Sequence, residues 1–179
     1  MPFYLATGVF STIGGALMVT ITETTPIAKV YGYSVLIAIG TGLSIQMGYA
    51  IATVKVGMKL GPDEVSNAVS LQNVSQVGST LIALVISGQV FQSLAFNKMK
   101  DVLVGQGFSD SQIRDAVAGT HSVVFHTISP ELKEKAVEAI TSAISRVWVL
   151  CVVAGAVSLC IAPLMKRERL FGMTPVAGG

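Results

Sequence analysis

The chain has 179 residues, with 12 Lys and Arg against 10 Asp and Glu, and its net charge of +2 is too small to imply a polyanionic partner such as a nucleic acid. Hydrophobic residues make up 51%, charged residues 12%, and mean hydropathy is +0.67. Water-soluble domains carry about 25% charged residues, so half that share excludes an ordinary soluble domain and places the chain in a bilayer.

A hydrocarbon core about 30 Å thick is crossed by about 20 apolar residues in a helix, because every backbone amide must be satisfied inside the segment. Four stretches meet that condition, at about residues 3–22, 31–54, 65–96 and 147–165, and none holds Asp, Glu, Lys, Arg or His. The first has no basic leader and no A-x-A-like cleavage site, so it is read as a retained span rather than a signal peptide.

Between the first two spans, "ETTPIAKV" is a short polar turn around Pro26. The second span carries "LIAIGTGLSIQMGYAIA", in which Ala38, Gly42, Gln46 and Ala50 recur every four residues on one helical face, with Gly40 and Gly48 nearby. Lipid tails are as apolar as leucine, so helices in a bilayer associate by close packing and interhelical hydrogen bonds. Ala38, Gly40, Gly42, Gly48 and, on the next span, Gly78 are therefore expected at helix contacts. Two readings of the groove stay open: a packing seam, or a cavity wall in which Gln46 offers donor and acceptor to a cargo.

"KVGMKLGPDE" then breaks the chain at Gly57, Gly61 and Pro62. In the third span Ser66, Ser70, Asn73, Gln76 and Thr80 share one arc, and Leu71, Val74, Gly78 and Leu81 the opposite one. Two amides and three hydroxyls cannot face lipid, so that arc must meet protein, water or cargo, and Asn73 and Gln76 join Gln46 as candidate substrate-binding residues.

Residues 97–146 form the one long polar segment. Ser109 with Gln112 has capping-box spacing, and Ser129 followed by Pro130 starts a further helix. That helix places Val137, Ile140, Ile144 and Val147 on one apolar face as it lies along the membrane and enters the last span near Trp148.

Other chemistry is thin. His121 and His126 lack the further ligands a zinc site needs, so no metal and no cofactor is expected. Cys151 and Cys160 are about 13 Å apart along one helix, too far for a disulfide. Nothing resembles a nucleophile with its base, and enzymatic activity is not expected.

"YGYSVLIAIGTGLSIQMGYA", a short basic loop, "NVSQVGSTLIALVISGQVFQSLAFNKM", the long amphipathic loop and a last span followed by "LMKRERLFG" resemble the C-terminal end of a fungal exporter. The family is the major facilitator superfamily, in its fourteen-helix drug:proton antiporter branch. The resemblance covers about residues 3–172 and sets Gly40, Gly42 and Gln46 on the family's Gly-x-Gly and following Gln, and Gln76 with Gly78 on the Gln and Gly of the next helix. It implies an all-α membrane protein with a partial major-facilitator fold, residues 1–172 being transmembrane segment and 173–179 a flexible tail. It further implies proton-coupled efflux of small organic molecules, drugs or toxins across the plasma membrane or an internal one such as the vacuolar membrane. Membrane lipid, cargo, protons and the N-terminal transporter half are the partners this implies. That half, with its embedded acids, is absent from the chain, so no transport is expected of the segment alone. The alternative is a small four-span membrane adaptor or assembly protein without transport activity.

Four spans place both ends on one side, together with Lys55 and Lys59, against Lys29 in the other short loop; Lys166, Arg167 and Arg169 add to the first side. This bias favours cytoplasmic termini, although Lys98, Lys100, Arg114, Lys133, Lys135 and Arg146 lie opposite. Membrane-impermeant thiol reagent applied to intact cells should therefore modify a cysteine placed at Ser111 and miss one placed at Gly178. The reverse pattern would contradict this topology.

Overall fold

A computed structural model describes residues 2–119 and 122–164. Met165, the Lys166–Arg169 charges, the tail 173–179 and His121 lie outside the described residues. The architecture is all-helical: α1 (Pro2–Val19), α2 (Ile27–Leu60), α3 (Val65–Val102), α4 (Asp110–Ala118), α5 (Val123–Thr127), α6 (Pro130–Val147) and α7 (Val149–Ile161), with short 3-10 turns at Pro62–Glu64 and Ala162–Leu164. Three stretches, Ile27–Leu60, Pro62–Val102 and Pro130–Leu164, are long and apolar enough to cross a membrane, and Phe3–Val19 is a shorter apolar helix.

The helix α1 lies between α2 and α7 and packs along both. Small residues permit the approach. A methyl added at Gly40 of α2 would stand 3.1 Å from the Ser11 backbone nitrogen, and one at Gly155 of α7 would stand 2.8 Å from that of Thr12. On α1 itself, a methyl at Gly14 would meet the Ile37 nitrogen at 3.2 Å. The thiol of Cys151 adds a weak bond to the Ser11 carbonyl at 3.8 Å, while Cys160 is exposed and free.

The same helix α2 serves two neighbours in turn. Its first half, at Tyr33, Ile37 and Gly40, packs on α1, and its second half, at Gly48, Tyr49 and Gly57, meets the start of α3. Gly61 at φ 100°, a region that disfavours side chains, ends α2 and lets the 3-10 turn lead into α3. Farther along, α3 leaves its neighbours: Leu81, Ile82, Leu84 and Val85 are each about 60% exposed. An open apolar cleft of about 570 Å³ separates this stretch from the start of α7, lined by Thr80, Leu84, Ser87, Trp148, Cys151 and Ala154 among others.

Both long helices exceed the bilayer. At 1.5 Å per residue α3 is about 57 Å long, nearly twice a hydrocarbon core, so it runs on past Phe96 into the polar segment. There its end forms a compact cap with α4, α5 and α6. Eleven of the thirteen buried apolar side chains among the described residues belong to this cap, including Met99, Leu103, Ile113, Val124, Phe125 and Ala139. The cap therefore has the core of a water-soluble domain, and the spans do not.

Its helices start where the sequence says. The Ser109 hydroxyl accepts from the Gln112 backbone N–H, and the Gln112 side chain accepts from the Ser109 N–H at 2.9 Å, closing the capping box. Ser129 likewise accepts from the Leu132 N–H, with Pro130 at the first position. On α6 the small residues make the protein contact, outside the apolar face read as lying along the membrane. Ala136, Ala139 and Ala143 are buried against α3, whereas Val137 and Ile144 are exposed, because close helix approach selects the smallest side chains. Outside the core, Lys100 pairs with Asp110 at 3.0 Å and the Arg114 guanidinium sits 4.5 Å from the Phe96 ring centroid. Exposed pairs of this kind contribute at most about 1 kcal/mol.

The glycine contact gives a direct expectation. Gly155→Leu forces side-chain atoms into the Thr12 backbone and should destabilise the detergent-solubilised chain by about 1–3 kcal/mol. Gly88→Leu, at a position with nothing within 4 Å, should leave thermal melting followed by circular dichroism unchanged. Equal melting of the two variants would contradict the packing described.

Candidate functional site

The polar residues of the second and third spans meet where α2 and α3 diverge from their hairpin. Tyr49 is central. Its phenol lies in hydrogen-bond contact with the Asn73 carboxamide and 2.8 Å from the Gln76 Oε1. Asn73 and Gln76 are three residues apart on α3 and so project from one face, as the arc drawn from the sequence requires. Beside this contact, Gln72 lies over Gly48, where an added methyl would stand 2.7 Å from its Nε2.

The depth follows from helix geometry. Tyr49 is six residues before Lys55, about 9 Å along the axis, which sets the cluster inside the apolar zone but near one face of the membrane. Tyr49 and Gln76 are half-buried and Asn73 is exposed. Leu71 and Val74, on the other side of α3, are about 70% exposed and suited to lipid.

The remaining predicted residues fall in three groups. Gly40 is buried against α1 and Gly48 is covered by Gln72. Gly42 and Gly78 have nothing within 4 Å among the described residues, and Ala38 is exposed. Gln46 is exposed, one helical turn before Tyr49 on the same face of α2, and it is Tyr49 rather than Gln46 that meets Asn73 and Gln76. Among the described residues no group of three or more His, Cys, Asp and Glu could hold a metal ion.

Sequence reasoning passed over Tyr49. The available signal was its place three residues after Gln46: a tyrosine on the amide-bearing face of a span, inside the apolar zone, needs a partner for its hydroxyl.

This is a polytopic helical membrane protein with an extramembrane cap and a polar contact between two spans. Over almost its whole length it is related in sequence to fungal MFS-type transporters and efflux pumps. It is 34% identical to efflux pump patC of Aspergillus clavatus over 90% of this chain and 29% of the pump. It is 37% identical to efflux pump alnA of Emericella nidulans over 96% of the chain and 30% of the pump. The MFS-type transporter patC of Penicillium expansum is 35% identical over 93% of the chain and 30% of the transporter. The chain thus spans about 30% of the length of these relatives. No protein-family model and no solved structure matches it.

Proposed function

We propose that the chain is the C-terminal part of a major-facilitator-type efflux transporter and helps to export small organic molecules across a membrane, with the plasma membrane as its location. One observation carries this reading: the line of neutral polar residues Gln46, Tyr49, Asn73 and Gln76 along spans free of charge, in a chain whose relatives are named efflux pumps. Side chains of this kind are turned toward protein, water or cargo rather than lipid. Gln46 and Asn73 are exposed within this chain, so cargo is their natural partner in a larger assembly.

The packing residues divide accordingly. Gly40 and Gly48 serve contacts inside the chain, while Ala38, Gly42 and Gly78 offer small surfaces for further transporter helices. Spans without Asp, Glu, Lys, Arg or His offer no group suited to relay a proton, so coupling to a proton gradient falls to the N-terminal half of such a transporter. The names of the relatives do not favour a stand-alone adaptor.

The test is transport by the complete transporter carrying this segment, expressed in efflux-deficient yeast. An amide that contacts cargo leaves an unpaired polar group when its partner is lost, an effect of about ten- to a hundredfold. Gln46→Leu and Gln76→Leu should therefore shift resistance unevenly across a panel of compounds at normal surface level. Uniform loss that tracks falling surface level would contradict a role in cargo binding.

A further inference from the structure

The contact among Tyr49, Asn73 and Gln76 contains a chemical conflict whose resolution says what the site reads. Both carboxamides approach the phenol, Gln76 with its Oε1 at 2.8 Å and Asn73 with its Oδ1. A phenol has one proton, and it can donate to one oxygen only. A second carbonyl oxygen at that separation would be repelled by the phenol oxygen. Carboxamide oxygen and nitrogen are interchangeable by a half-turn of the terminal group. The stable arrangement therefore has Tyr49 donating to one carboxamide oxygen and accepting from the NH₂ of the other.

The consequence lies on the far sides of the two amides. The one whose oxygen is engaged turns its NH₂ outward; the one whose NH₂ is engaged turns its carbonyl outward. The same pair results whichever amide takes which part. Among the described residues Asn73 and Gln76 make no hydrogen bond with each other, so the outward donor and acceptor do not satisfy one another. Asn73 is exposed and Gln76 half-buried, at a depth where water is scarce.

We infer that Tyr49 is a specificity-determining residue: it fixes Asn73 and Gln76 in opposed orientations, so that together they bind a neutral group carrying a hydrogen-bond acceptor next to a donor. This rests on the cargo-binding reading proposed above and names the class of cargo. Such a group is a primary or secondary amide, a hydroxy-ketone or an undissociated carboxylic acid. A molecule with an acceptor only leaves the outward NH₂ unpaired, and a molecule with a donor only leaves the carbonyl unpaired. A carboxylate offers no donor and meets no cation here, since no Lys, Arg or His lies within residues 31–54 or 65–96.

Tyr49→Phe keeps the ring and removes the lock. Both amides then rotate freely and satisfy acceptor-only molecules as well as acceptor–donor ones. A purely structural role for the hydroxyl would weaken binding of both kinds alike, so the ratio between them is the informative quantity.

The test uses the full chain in lipid nanodiscs, with nitrogen-15 in the Asn and Gln side chains, and benzamide and N,N-dimethylbenzamide as matched probes. The methylated probe keeps the carbonyl and lacks the N–H. In the wild-type chain the Asn73 and Gln76 NH₂ resonances should titrate with benzamide at about ten- to a hundredfold lower concentration than with the dimethyl compound. In Tyr49→Phe the two titrations should come within about threefold, a difference equivalent to less than 1 kcal/mol. Gln76→Met, which removes one member of the pair and leaves the phenol, should collapse the ratio in the same way and serves if Tyr49→Phe does not fold. Equal titrations in the wild type, no titration by either probe, or an unchanged ratio in the folded variants would overturn the inference. A transporter that exports nothing in yeast would overturn the proposed efflux and leave this ratio standing, so the two failures are distinguishable.

Discussion

A helix in hydrocarbon has no water to complete its hydrogen bonds and no hydrophobic force to bring it to a neighbour. That constraint organises the whole chain. It keeps charge out of the spans, leaves their large side chains facing outward, and makes helix contact depend on how closely two backbones can approach. At Gly40 against Ser11 and Gly155 against Thr12 they approach so closely that no side chain fits between. The bundle around α1 is held by these contacts rather than by a buried core.

Beyond the hydrocarbon the rule reverses. Where α3 emerges it finds water, and the chain at once builds a conventional core from Met99, Leu103, Ile113, Val124 and Phe125. The two regimes are joined by continuous elements: α3 enters the cap directly, and α6 leads into α7 through Trp148, whose N–H bonds to the Ser145 carbonyl at 3.2 Å. The cap therefore fixes one end of α3, and Tyr49 engages it near the other. Between these anchor points α3 stands apart from α7 across the open cleft.

How much of this the sequence discloses depends on which physical signal each element leaves. The long apolar helices come through because the exclusion of charge acts on every residue of a span, whereas Phe3–Val19, read as a fourth span, is a shorter apolar helix. The starts of α4 and α6 come through because Ser109 with Gln112 and Ser129 with Pro130 are local devices, complete within a few residues. The buried face of α6 does not, since large residues dominate a periodicity argument while the contact is made by Ala136, Ala139 and Ala143. Which of several glycines meets a neighbour is equally hidden: Gly40 and Gly42 look alike in sequence, and only the path of α1 separates them. At the candidate site, Asn73 and Gln76 were visible as amides that lipid cannot accommodate. Their common partner was not, because a tyrosine in an apolar run is ordinary until its hydroxyl is seen to face two carboxamides.

The central claim is that one continuous helix, α3, passes from hydrocarbon into a water-exposed cap. Nitroxide labels placed singly along it in nanodiscs test this most directly, by relaxation with oxygen, which concentrates in lipid, and with a water-soluble nickel chelate. A label at Leu84 should respond to oxygen and not to nickel, and a label at Asp101, on the same helix where it enters the cap, to nickel far more than to oxygen. Nickel accessibility at Leu84 equal to that at Asp101 would contradict the account.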